Sequence, residues 1–322
     1  MGETMNYRGV RVEDTFCECT DVYIARLLLT ASSGPIAVSE AIYLCGFGII
    51  TAAPIQGCVE GVVPESRTPD GRPGIVFQLN APTAVGLDAF RKALLDRLYI
   101  VPHLPTCSLY DGTECAGAEV GKGRGEVAAV VDVAGRVGRW GDGYEVADVV
   151  GGRETVRIPI MTGDQQIERS VRVTVGTDGV LEVFATSQAA CLSGASAAAS
   201  RIVREVPGVA VFNYPVGGIS GAKVGGTQYP KEGVTINEPY CPTVRDRVAT
   251  KVPDDASAVI EFPLVAVSLD AIRRGLKAAV DAFAATEGIV AITAPSFGGA
   301  WGGRRLPLRD VVPAEDERGR RG

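Results

Sequence analysis

The chain has 322 residues, 46% hydrophobic and 22% charged, which is enough apolar content to bury a large core in two lobes. Its formal net charge of −6 is spread without long single-sign blocks, which argues against nucleic acid or an anionic membrane as the main partner. No apolar run approaches the roughly 20 residues of a membrane span, and the first residues lack a basic-then-apolar leader, so a cytoplasmic protein is expected.

In chain order, apolar patterning predicts a strand over 22–30, a helix over 35–44 and a strand over 49–52. A second unit follows: a strand over 74–80, a helix whose apolar residues 87, 90, 94 and 98 share one face, and a strand over 99–102. The glycine-rich stretch 112–143 breaks this rhythm and reads as an insertion or a connection. The rhythm then resumes as strand 180–186, helix 189–206 and strand 209–212. It closes with strand 258–267, a helix with apolar residues 269, 272, 276 and 280 on one face, and strand 288–293.

Gly86-Leu-Asp-Ala-Phe-Arg-Lys-Ala-Leu94 and Ser268-Leu-Asp-Ala-Ile-Arg-Arg-Gly-Leu276 correspond at a constant offset of 182, which indicates an internal duplication. Each half reads β-α-β twice. The expected fold class is therefore α+β, with two ferredoxin-like (split βαβ) lobes at 1–155 and 156–310 and a charged, disordered tail at 311–322.

The eight cysteines form no CxxC pair and the chain has one histidine, His103, so no zinc spacing can be drawn and no metal site is expected. A Ser-His-Asp triad would need His103 as its base, and a cysteine nucleophile at Cys17 or Cys241 has no base nearby in sequence. Glu261 is different: it interrupts the apolar run 258–267, and an acid among residues that favour burial is paired, kept protonated or used. At the offset of 182 its counterpart is Leu79, so the acid belongs to one half only. The turn Thr68-Pro-Asp-Gly-Arg-Pro-Gly74 presents Arg72 to a carboxylate or carbonyl, and the glycine loop 216–226 lacks the spacing of a P-loop.

Several clusters are weak singly and specific together: Val12-Glu-Asp-Thr-Phe16, Thr68 to Gly74, Leu94-Leu-Asp-Arg97, Gly141-Asp-Gly-Tyr144, Ala222-Lys-Val-Gly225, Gln228-Tyr229, Tyr240-Cys-Pro-Thr-Val244 and Phe297-Gly-Gly299. In identity and order they resemble the formylmethanofuran:tetrahydromethanopterin formyltransferase family across nearly the whole chain. The resemblance implies a catalytic glutamate at Glu261 and carrier-binding roles for Asp70, Arg72, Lys223, Gln228, Tyr240 and Phe297. It further implies formylmethanofuran and tetrahydromethanopterin as co-substrates and no tightly bound cofactor. The expected assembly is a homo-oligomer, a dimer or tetramer with its cleft at a subunit interface, or a subunit of a formyltransferase/hydrolase complex. Two departures, a shorter loop between Gly218 and Lys223 and Ala-Trp-Gly after Gly299, leave a non-catalytic scaffold subunit as the alternative.

Overall fold

The computed structural model describes residues 4–46, 54–114, 127–221, 238–295 and 303–312. The first half contains β1 (Thr4–Tyr7), β2 (Val10–Glu13), β3 (Phe16–Cys19), β4 (Asp21–Thr30), α1 (Gly34–Cys45), β5 (Gln56–Val63), β6 (Gly74–Pro82), α2 (Leu87–Leu98) and β7 (Ser108–Asp111). Then come β8 (Val127–Asp132), β9 (Val146–Val150), β10 (Arg153–Ile160), β11 (Gly163–Glu168) and the 16-residue β12 (Ser170–Ala185). The rest comprises α3 (Gln188–Glu205), β13 (Val209–Val211), β14 (Ala258–Ala266), α4 (Leu269–Ala284), β15 (Ile289–Thr293), β16 (Arg304–Pro307) and α5 (Leu308–Val311).

The α3 and α4 helices start where the sequence places a serine before a helical run. Ser187 and Ser268 each accept a hydrogen bond at 3.1 Å, from the backbone N–H of Ala190 and Ala271, and such a cap contributes about 1 kcal/mol. The four longer helices bury their apolar faces on one side of the strands, joining Leu44, Phe90, Ile202 and Phe283 to the strand residues Leu27, Phe77, Val183 and Phe262 in one core. Among the described residues no helix is long and apolar enough to cross a membrane.

The two-lobe ferredoxin-like arrangement is overturned. Strands of both halves pair with one another, β12 with β4 and β13 with β5, so β4, β6, β5, β13, β14 and β12 close into a six-stranded antiparallel barrel within a mixed α/β fold. Further strands extend from it: β15, β2 and β1 on one side, and β7, β11, β10 and β9 on the other. The physical reason is the length of β12. Its first part pairs with β4 through residues 173–177, while 177–185 pair with β14, so neither half keeps free edges where the two meet.

Local expectations fare better than topology. Helices 35–44 and 189–206 correspond to α1 and α3, and strands 22–30, 74–80 and 258–267 to β4, β6 and β14. Residues 99–102 are not a strand: Pro102 lies in a 3-10 turn, Val101–His103, and the strand comes later as β7. The predicted strand 49–52 and most of the tail lie outside the described residues, and β5 follows at Gln56–Val63. The stretch 112–143 is not merely connective, since β8 within it pairs with β12.

Inside the barrel, alternate strand residues point away from the helices. Val22, Ile24, Cys58, Ala210, Phe212 and Val265 form one apolar cluster there. Beside it Arg26 is fully buried and its guanidinium forks onto Glu60, with Nε donating at 2.8 Å to Oε2. Glu60 also accepts from Gln78 Nε2 at 2.8 Å and the Gly208 N–H at 2.9 Å, and this company holds its carboxyl below the usual range despite its burial.

Candidate active site

The helix-free face continues beyond the barrel onto β14, β12 and β15. There Glu261, Glu182 and Thr293 stand in one row, paired as cross-strand neighbours Glu261 with Glu182 and Glu182 with Thr293. Directly opposite residues on a pleated pair share a face, with Cβ atoms about 4.5–5.5 Å apart. The next row, Val259, Phe184 and Ala291, is apolar.

A segment spanning 238–257 lies over the apolar row. It buries Tyr240, Val252 and Ala256 against Phe184 and Ala291, with the Tyr240 and Phe184 rings 6.2 Å apart. The segment is tied down by the Ser257 N–H donating to Ala185 O at 2.9 Å, and by Arg245, which donates to the carbonyls of Pro242 and Ala256. Lys251 donates to the Tyr240 hydroxyl at 3.4 Å and sits 5.3 Å from the ring centre. Burial, with the charges of Glu182 and Glu13 nearby, pushes the Tyr240 phenol up to about 12.

The loop 213–221 flanks Glu261 from the other side. Ile219 pairs with it through both backbone bonds, Ile219 N–H to Glu261 O at 2.7 Å and Glu261 N–H to Ile219 O at 2.9 Å. Gly217 and Gly218 permit this approach: both have positive φ, 71° and 69°, and a Cβ on Gly218 would lie 2.9 Å from Glu261 O. Asn213 Nδ2 donates to Gly218 O at 3.1 Å and fixes the loop's bend.

Glu182 is 7% exposed and Glu261 is half-buried. Burial raises both carboxyls, Glu182 well above the ordinary glutamate value, and the neighbouring Glu261 charge adds to the effect at Glu182. Two such groups in a poorly hydrated place cannot both ionise easily, so the pair retains a proton where an isolated glutamate would have lost it. That proton can be donated to a developing oxyanion or exchanged with an amine. The cysteine alternative is weaker: Cys17 is fully buried, donates to Val180 O at 3.2 Å, and has its thiol pushed far up by burial.

The other expected site residues divide. Tyr240 belongs to the cover described above. Lys223, Gln228 and Phe297 lie outside the described residues. Asp70 and Arg72 do not join Glu261. Arg72 Nε donates to Asp70 Oδ2 at 2.9 Å, and its other nitrogens donate to Thr106 O at 2.5 Å and Thr30 Oγ1 at 3.0 Å, while Tyr110 donates to Asp70 at 3.1 Å. This cluster sits by Thr30, at the end of β4 remote from Asp21, whose partner Thr177 is five residues short of Glu182. By the shorter way round the barrel, through Gly74, Val63 to Val59, Val211 and Leu264, four strand crossings and about seven residues of strand, roughly 23 Å at about 3.3 Å per residue, still separate the cluster from Glu261.

The contrast between Glu261 and Leu79 also needs correcting. Leu79 faces the helices with Ile75, Phe77 and Ala81, as do Ile260 and Phe262 on β14, so an even offset compares opposite faces. The face that carries Glu261 is occupied on β6 by Gln78 and Asn80, both buried and polar. Glu182 was missed although its signal was the same, an acid inside the apolar run 180–185.

On the open face of the barrel, half-covered by a tyrosine-bearing segment, the carboxyl pair offers the proton chemistry that group transfer requires. The chain belongs to the formylmethanofuran–tetrahydromethanopterin formyltransferase family. The model described as formylmethanofuran-tetrahydromethanopterin formyltransferase matches residues 5–160, and the one described as its proximal lobe matches 163–311. A formylmethanofuran–tetrahydromethanopterin formyltransferase of Methanopyrus kandleri is 34% identical over 95% of this chain and 100% of its own length. The solved formyltransferase of Methanosarcina barkeri superposes with a TM-score of 0.84 at 28% identity, covering 96% of this chain and 100% of that one. The formyltransferase/hydrolase complex FhcABCD of Methylorubrum extorquens, solved with methylofuran, contains a chain that superposes at 0.79 and 26% identity, covering 96% and 99%.

Proposed function

We propose that this enzyme transfers a formyl group between formylmethanofuran and tetrahydromethanopterin, with Glu261 as its proton donor. The observation that carries the reading is the joint presence of the family match along both halves and the raised carboxyl pair in the second half. The lone pair of a pterin amine nitrogen forms the new C–N bond to the formyl carbon as the carbonyl electron pair moves onto oxygen. Collapse of that intermediate breaks the bond to the carrier amine, which leaves with a proton while the attacking nitrogen loses one. Glu261, half-buried and protonated, donates to the oxyanion and passes protons between the nitrogens.

Because both amines can be held in one cleft, orientation supplies much of the rate and no covalent enzyme intermediate is needed. Asp70, Arg72, Lys223, Gln228, Tyr240 and Phe297 are proposed to bind the carriers. The remoteness of Asp70 and Arg72 from Glu261 within one chain favours a homo-oligomer in which different copies complete a cleft, and a formyltransferase/hydrolase complex is the other assembly this family membership suggests. A cytoplasmic location is part of the same proposal.

The test mixes purified protein with formylmethanofuran and tetrahydromethanopterin and follows formyl-pterin absorbance. Turnover is expected. Its absence with methanofurans of several tail types would remove the transferase reading in favour of a scaffold.

A further inference from the structure

The second glutamate of the row is more deeply placed than the first and makes no hydrogen bond or ion pair among the described residues. Glu182 lies between Glu261 on β14 and Thr293 on β15, under the segment that carries Tyr240. Its neighbours offer little compensation for a negative charge. Thr293 has its own oxygen partner, Thr15 Oγ1 at 3.1 Å, and the ammonium of Lys251 is engaged with Tyr240. Of the other titratable groups on this side, Glu13 on β2 has the same sign as the pair, and Arg11, beside Ala291 of the adjoining row, has its guanidinium taken by Asp255 at 2.9 and 2.6 Å. A purely packing residue at this position would be apolar, as Val259, Phe184 and Ala291 are in the adjoining row.

We propose that Glu182 is a positioning residue that holds one proton in common with Glu261, so that the two opposed carboxyls carry a single negative charge and the shared proton stays within reach of Glu261 at neutral pH. The use of that proton rests on the formyl-transfer reading; its existence does not. In the shared state the proton would bridge the two carboxyls as a charge-assisted O–H···O⁻ bond, a kind that is short and strong where water is scarce. Loss of the second proton would place two negative charges on adjacent strands in that same setting, and it is therefore deferred to high pH. The buried Glu182 is the firmer holder of the proton and the half-exposed Glu261 meets the substrate. Burial raises both carboxyls, and the Glu261 charge raises Glu182 further.

Glu182→Gln tests it. Glutamine keeps the shape, removes the like charge and can donate an N–H to the Glu261 carboxylate, and all of this favours ionised Glu261. The alkaline limb of the pH–rate profile is expected to move down by about one pH unit or more, which is about a tenfold loss of kcat above it. Activity at pH 5.5 should return to within about threefold of wild type, with KM for both carriers changed less than about twofold. A limb that stays in place, or a loss uniform across pH, would overturn the proposal, since a packing defect acts at every pH.

Infrared spectroscopy reads the proton without substrate. Wild-type protein should show at pH 7 a protonated-carboxyl stretch that Glu182→Gln and Glu261→Gln each shift or remove. Absence of that difference sinks the shared proton, whereas its presence in a protein that fails to transfer formyl groups would sink the transferase reading and leave the pair intact. Should Glu182→Gln fail to fold, the wild-type and Glu261→Gln spectra decide alone.

Discussion

At Glu261 the proposed chemistry depends on one proton, so Glu261→Gln should lower kcat by about a hundredfold or more, the scale of a lost general acid, while KM changes little. Steady-state kinetics with both carriers checks this, and unchanged kcat would end the assignment. A different acid predicts a different loss. Glu60→Gln leaves Arg26 charged and buried in the barrel with its principal partner gone, and should cost about 3–5 kcal/mol in denaturant unfolding. The sequence flags Glu261, Glu182 and Glu60 by one rule, an acid in an apolar stretch, and cannot tell them apart. What separates them is the residue facing each across the sheet: a guanidinium for Glu60, another carboxylate for the other two. That information lives in register, which a one-residue slip reverses, as the comparison with Leu79 illustrates.

Among the elements, helices and strongly apolar strands were legible because periodicity is local. The β9–β11 strands were not. They are half-exposed and lack a sustained apolar run with a buried face, and their identity comes from pairing with one another, Thr155 with Glu168 on one side and Asp148 on the other. The stretch 216–226 was legible as a glycine-rich loop, yet the office of its described part is seen only in the structure, where Gly218 lets Ile219 pair with the backbone of Glu261. Gly218→Ala would combine left-handed backbone with a contact of 2.9 Å to Glu261 O, costing about 1–3 kcal/mol of stability. It should also lower kcat by shifting β14 at the acid. Gly34→Ala, in the first turn of α1 with open space around it, is the matched control and should leave melting temperature and kcat close to wild type. Equal behaviour of the two variants would show that the loop does not position Glu261.

On the scale of the whole molecule, the closed barrel ties the two halves of the chain into one body, so a proton held on β12 and β14 becomes a term in global stability. Its sign follows from linkage. Glu182 and Glu261 bind protons more tightly folded than unfolded, so between the ordinary glutamate range and their raised folded values the native state carries the extra proton. Their stabilising contribution is complete below about pH 4 and is lost as pH rises through the folded values. Glu60 and Asp281, whose carboxyls are held low, act oppositely, and their contribution falls away only as the solution becomes more acidic than the ordinary carboxylate range. Asp178 and Glu168 are raised by burial as well and slope in the same direction as the pair, so wild type alone cannot isolate it. The difference between wild type and Glu182→Gln can, because every other group cancels. Urea unfolding at pH 5.5 and pH 8.5 should show wild type losing stability toward the higher pH, and Glu182→Gln losing measurably less. Parallel pH dependence in the two proteins would mean that the pair ionises in the folded state much as it does unfolded, and a barrel face that tolerates two adjacent charges could not hold the proton on which the catalytic role of Glu261 depends.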